Sequence, residues 1–247
     1  MKKITALLLT MLLALPLTAL GEEDAALQAA RTLVPASAAL TERETEDGLT
    51  EMEFHDGTQR WDVVLDAANQ PVLYQVEDKD AKGSAEVVLD ASAVETAVLA
   101  SLHEEPGAYV SFTLLEKDDG LYCWKVFARS GEDWLVYELN ALDGGVMETE
   151  RYFGAAAVAP GEAVEAVRRQ KGEIILTELD LELDKGRLVY DGKATLGDTC
   201  YAFTALAADG SLIEWKKDCR MHPQGCAAAC CAVFLHASCP GAANVIH

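Results

Sequence analysis

From residue 49 to residue 217 the chain alternates apolar and polar side chains in short runs. Met52/Phe54, Trp61/Val63/Leu65, Tyr122/Trp124/Val126 and Leu135/Tyr137/Leu139 fall at every second position. That period marks strands with one buried face. Three other stretches carry apolar residues three and four apart: Ala26, Ala29, Ala30 and Leu33 within 23–34; Val94, Ala97, Val98 and Leu102 within 90–102; Ala163, Val164 and Val167 within 160–170. This spacing predicts amphipathic helices. Asp24, Asp90 and Pro160 stand near their starts, where an acid or an N1 proline suits the unpaired N–H groups. Helices of about three turns are marginal alone, so each needs the apolar face of a sheet.

The strand pattern recurs three times. Asp47-Gly48-Leu49, Asp119-Gly120-Leu121 and Lys185-Gly186-Arg187 each open a block, and Asn69, Asp143 and Asp209 stand near its end. The early glycine precedes the late turn residue by 21, 23 and 23 positions. Gly, Asn and Asp suit the positive φ of tight hairpins. The expected unit is one helix followed by roughly four antiparallel strands, about 60–75 residues, in triplicate. The fold class is therefore α+β, as tandem modules of one helix packed on a four-stranded antiparallel sheet. The expected organisation is a signal peptide at 1–21, modules at 22–80, 84–153 and 158–218, and a Cys/Ala-rich tail at 219–247. The second face of each sheet is expected to meet solvent, a sister module or a partner, and is the preferred place for a protein-binding surface.

Three segments carry a resemblance: Val63-Val64-Leu65-Asp66-Ala67-Ala68-Asn69, Tyr137-Glu138-Leu139-Asn140-Ala141-Leu142-Asp143-Gly144 and Phe203-Thr204-Ala205-Leu206-Ala207-Ala208-Asp209-Gly210. Following a short helix, they resemble the closing hairpin of the PepSY domain family, across about residues 23–218. The layout is also similar to that of the tandem β-lactamase inhibitor proteins. The resemblance implies a secreted or envelope-associated, non-catalytic module that binds another protein, with a secreted peptidase as the candidate partner. No peptidase domain follows in this sequence, so the resemblance implies restraint in trans. A structural or cell-envelope interaction protein without inhibitory activity is the alternative.

The N-terminus reads as an address. Lys2 and Lys3 precede an apolar run from Ile4 to Leu15, Pro16 breaks it, and Ala19-Leu20-Gly21 supplies small residues ahead of Glu22. This is the pattern of a secretory signal cleaved after Gly21. The run is short for a ~20-residue span, and no second run could cross a bilayer, so stable membrane insertion is not expected.

Charge narrows the partners. The chain has 247 residues and a net charge of −21. All 41 acids lie in residues 22–218 against 17 Lys and Arg, giving that body −24. Such a field repels a phosphate backbone, so no nucleic-acid partner is expected; it reads as an ordinary solvated surface, with steering of a basic partner at low salt as the alternative.

Motifs for chemistry are missing. His103-Glu104-Glu105-Pro106 is not the His-Glu-x-x-His zinc motif and suits a helix end. His55 precedes a turn at Asp56-Gly57, and no Gly-x-Ser-x-Gly or supported Cys–His pair occurs in the body. Gly192-Lys193-Ala194-Thr195-Leu196-Gly197 lacks the phosphate-loop order and reads as a hairpin connection. Asp180-Leu181-Glu182-Leu183-Asp184 has Lys185 where a calcium loop needs glycine, and reads as a strand with a solvated acidic face. No catalytic, cofactor-binding or metal residue is assigned, no cofactor is called for, and the protein is not expected to be an enzyme. Trp61, Trp124, Trp134 and Trp215 are expected in strands, as core or with one or two facing outward as a binding patch.

Composition changes at Cys219. Residues 219–247 hold five of the seven Cys and no Asp, Glu or Lys. Their spacing matches no zinc module, and they read as a poorly structured extension. Cys123 and Cys200 are expected as buried thiols.

Overall fold

A computed structural model describes residues 25–218. The signal-peptide and tail readings lie outside the described residues. Helix α1 covers residues 25–31 and leads into β1 (Ala39–Glu46), β2 (Leu49–His55), β3 (Gln59–Leu65) and β4 (Pro71–Asp78). Helix α2 (Ala91–Ser101) precedes β5 (Tyr109–Asp118), β6 (Leu121–Ser130), β7 (Asp133–Asn140) and β8 (Val146–Tyr152). Helix α3 (Pro160–Lys171) precedes β9 (Ile175–Asp184), β10 (Arg187–Leu196), β11 (Thr199–Leu206) and β12 (Leu212–Lys217).

Local chemistry repeats with the elements. The turns Asp47-Gly48, Asp119-Gly120 and Lys185-Gly186 join β1–β2, β5–β6 and β9–β10 with positive φ at both residues (52° and 81°, 47° and 85°, 50° and 76°). Two-residue loops of this type match the twist of the strands they join. Each of these hairpins also carries a bulge away from its turn, at Leu40/Glu42, Val110/Phe112 and Lys193/Ala194. The Asp90 side chain accepts the Ala93 N–H at 2.9 Å and caps α2. Pro160 opens α3, and Arg168, Arg169 and Lys171 lie in its last turn, where cations suit the dipole.

Strand pairing corrects the expected layout. The fold is α+β, but not one four-stranded sheet per helix. β4 pairs antiparallel with β8, so β1–β8 form an eight-stranded sheet of order β1-β2-β3-β4-β8-β7-β6-β5, while β9–β12 form a four-stranded sheet of order β12-β11-β10-β9. Helices α1 and α2 share one face of the large sheet. Ala26, Ala30 and Val34 pack on Met52, Phe54, Trp61, Val63 and Leu65, and Val94, Val98 and Leu102 pack on Trp124, Val126, Leu135 and Leu139. The opposite face divides. Over β5–β8 its Leu114, Phe127, Trp134, Val136 and Tyr152 join one core with α3 and with Leu179, Leu181, Tyr190 and Phe203 of the small sheet. Full burial of each such side chain is worth ~1.5–3 kcal/mol, which outweighs the marginal intrinsic stability of the short helices.

Trp61, Trp124 and Trp134 are buried, as the core reading expects, and half-buried Trp215 stacks on Tyr201 at 4.7 Å. Two further expectations change. Gly192 to Leu196 belong to β10 rather than to a connection. The missing Cβ of Gly192 is what lets the Phe203 ring lie across it. Cys123 is a buried free thiol, but Cys200 is disulfide-bonded. Among the described residues no helix is long and apolar enough to cross a membrane.

Candidate functional site

Alternation along β1–β4 sends Met52, Phe54, Trp61, Val63, Tyr74 and Val76 to the helix side. Their neighbours therefore point the other way. Register aligns them in rows across the strands: Glu42, Glu53, Asp62 and Gln75 in one, Glu44 and Glu51 in a second, His55, Arg60 and Glu77 in a third. Glu42, Glu44 and Glu51 are exposed, and Glu53, His55, Arg60 and Glu77 are half-buried. This half of the face lies beyond the core shared with the small sheet, which reaches it at Leu73.

Arg60 holds the centre of the acidic surface. Its guanidinium lies 2.8 Å from Asp62, 3.2 Å from Glu77 and 4.0 Å from Glu53. Hydrogen bonds with His55 at 2.7 Å and from the Thr41 hydroxyl at 2.9 Å hold the Glu53 carboxyl below its ordinary range. Burial pushes Asp62 up, with Arg60 opposing. Glu51 is pushed up by partial burial and then by the charges of Asp62, Glu44 and Glu42. Among the described residues six carboxyl groups share this face with Arg60, and Lys79 stands at its His55 edge, so the surface is net negative. A cation brought by a partner would relieve it.

Where the same face meets the small sheet, polar groups are buried rather than exposed. β9 is an edge strand of its sheet, and side chains of the large sheet close its backbone. Glu116 Oε1 accepts the Leu179 N–H at 2.9 Å, and the Tyr152 hydroxyl donates to the Leu181 carbonyl. Lys125 bonds Asp180 and lies 3.6 Å from Glu116. Burial works against the Lys125 charge, yet Glu116 and Asp180 outweigh it and push its pKa up. Burial lifts Glu116 to about 8, opposed by Lys125.

The residues singled out in the sequence do not converge. His103 lies just beyond α2 with Nδ1 3.0 Å from the Ala100 carbonyl, as the helix-end reading expects. His55 pairs with Glu53, and Lys79 Nζ stands 3.3 Å from its ring. Asp180 does not lie on a solvated acidic face but is bonded to Lys125 in the joint between sheets. Among the described residues no group of three or more His, Cys, Asp or Glu is placed to hold a metal ion. Sequence reasoning missed Glu116, Lys125, Glu150 and Tyr152. A trace of them exists in Trp124-Lys125-Val126, where a lysine is set between buried strand positions.

No family model matches the chain, and no curated protein matches it. Solved structures do overlap with it at low similarity. The Bacillus megaterium YpeB C-terminal domain is 13% identical, with a TM-score of 0.32, covering 79% of this chain and 96% of that one. A BLIP-like protein from Bacteroides fragilis NCTC 9343 is 15% identical, with a TM-score of 0.23, covering 52% and 84%. A DUF2874 family protein from Bacteroides uniformis ATCC 8492 is 11% identical, with a TM-score of 0.24, covering 78% and 87%.

Proposed function

We propose that the chain is a secreted or envelope-located, non-catalytic protein-binding protein built of three PepSY-like modules, and that it docks a basic segment of another protein on the open face of β1–β4. One observation carries this reading. A single sheet face is covered by the third unit over β5–β8, whereas over β1–β4 it presents Glu42, Glu44 and Glu51 to solvent, with Glu53 and Glu77 half-buried beside them. The covered half of the same face supports the reading that the free half can seat another element, and its charge favours a cationic one. The repeated turns and bulges support modules at 22–80, 84–153 and 158–218. The PepSY resemblance makes a secreted peptidase the first partner to try.

The experiment compares the full chain with a Glu42→Lys/Glu44→Lys/Glu51→Lys variant, all three positions being exposed. Each is titrated with an arginine-rich peptide and with purified secreted peptidases at low and high salt. The reading expects salt-sensitive binding that the variant loses. Stoichiometric inhibition of a peptidase supports restraint, and binding without inhibition supports an envelope-interaction role. Equal binding by the variant rejects this face as the docking surface.

A further inference from the structure

We propose that the joint between the two sheets is a proton latch. When it is closed, Glu150 carries a hydrogen that it donates to the Tyr152 hydroxyl oxygen, and losing that proton loosens the seat of β9.

Hydrogen-bond capacity makes the assignment. A tyrosine hydroxyl has one hydrogen to give and lone pairs to receive. The Tyr152 hydroxyl oxygen has two partners, the Leu181 carbonyl oxygen and Glu150 Oε2, the latter at 3.0 Å. Leu181's carbonyl can only accept, whereas the Glu150 carboxyl accepts when ionised and can donate when protonated, so both contacts are attractive together only if Tyr152 gives its hydrogen to Leu181. The remaining contact then joins two oxygens, and it is attractive only when Glu150 supplies the hydrogen. Tyr152 and Leu181 are both buried, so water does not readily replace the bond between them.

The surrounding charges favour the same state. Glu148 is on the same strand, Gln75 lies opposite on β4, and Val136 lies opposite on β7. The Gln75 amide donates to Glu148 rather than to Glu150. Around this pair stand Glu77 of β4, Glu138 of β7, Lys125 of β6, Glu116 of β5, and Asp180 and Glu182 of β9. Lys125 is the cation among these carboxyls, and Asp180 and Glu116 already engage it. Burial, then the Glu148 charge, lifts the Glu150 carboxyl to about 8.

Ionised Glu150 competes with the Leu181 carbonyl for the Tyr152 hydrogen. Among the described residues, one of the three side-chain hydrogen bonds from the large sheet to β9 is then lost, leaving Glu116 to Leu179 and Lys125 to Asp180. The latch is thus closed in acidic and neutral solution and released in alkaline solution. This goes beyond the docking reading and does not depend on it.

The test is a carboxyl-carbon NMR titration of the full chain with labelled glutamate, together with amide hydrogen exchange in β9 corrected for intrinsic rates. Glu150 is expected to stay protonated until about pH 8. Protection at Leu181 and its neighbours is then expected to fall about tenfold as the pH rises further, the scale of one lost buried hydrogen bond. Glu150→Gln offers an amide donor at every pH and is expected to keep that protection. Titration of Glu150 in the ordinary carboxylate range overturns the latch, as does an equal loss of protection in wild type and Glu150→Gln. Should Glu150→Gln fail to fold, the wild-type carboxyl titration decides alone.

Discussion

Glu116 Oε1 on β5 accepts the backbone N–H of Leu179 on β9 at 2.9 Å, so a carboxyl from one sheet closes the edge strand of another. Open strand edges invite pairing with foreign chains, and here a side chain occupies the site at the buried joint. Glu116→Ala removes the acceptor and leaves the Leu179 N–H unpaired. It is expected to lower unfolding free energy by about 1–3 kcal/mol. Glu116→Gln keeps an acceptor oxygen and should cost less than about 1 kcal/mol. Urea unfolding monitored by tryptophan fluorescence checks both.

Lys125 stands between Glu116 and Asp180 with its ammonium group nearly buried. Lys125→Met keeps much of the stem but leaves those acids without their cation. A loss of roughly 3–5 kcal/mol is expected where both are ionised, because a buried charge is then unpaired. At mildly acidic pH the loss should be smaller, since Glu116 is protonated there. Paired denaturation curves at the two pH values read the difference.

Stability of the whole chain should fall as the pH rises from about 4.5 to about 8. Glu116 and Glu150 keep their protons up to about 8 in the folded chain, whereas their ordinary value is 4.5. Across that window the native state binds more protons than the unfolded state, so unfolding becomes easier with each step upward. Their favourable contribution is complete below 4.5 and gone above 8. The Glu116→Gln/Glu150→Gln variant should flatten the profile measured by urea midpoints. A steeper profile in the variant would contradict this assignment.

Gly192 faces Phe203 across the β10–β11 ladder. A Cβ there would meet the Phe203 ring at 2.5 Å and the Glu178 carbonyl oxygen at 2.8 Å. The ring can swing, but the backbone oxygen belongs to the ladder partner β9. Gly192→Ala is therefore expected to destabilise by about 1–3 kcal/mol through overpacking. A thermal melt, with far-ultraviolet dichroism confirming retained strands, measures it.

Much of the local structure could be read before any coordinates. The β1–β2, β5–β6 and β9–β10 turns follow from Asp47-Gly48, Asp119-Gly120 and Lys185-Gly186, because positive φ at two successive residues is a local demand. Helices at Ala91–Ser101 and Pro160–Lys171 follow from apolar spacing and from Asp90 and Pro160 at their starts. The acidic rows of β1–β4 were visible as charge but not as a surface. Alternation says that Glu51 and Glu53 share a side, yet not that the third unit leaves that side open.

The chain's own residues settled the helices at Ala91–Ser101 and Pro160–Lys171 and the three two-residue turns, since these depend on neighbours within a few positions. Tertiary structure decided that β4 pairs with β8, that β9 lies over the far face of the large sheet, and that Cys200 enters a disulfide. A strand's hydrogen-bonding edge has the same N–H and C=O groups whatever its side chains, so it does not name its neighbour. Which edges meet is set by shape and burial summed over the whole molecule, and that sum exists only once the chain has folded.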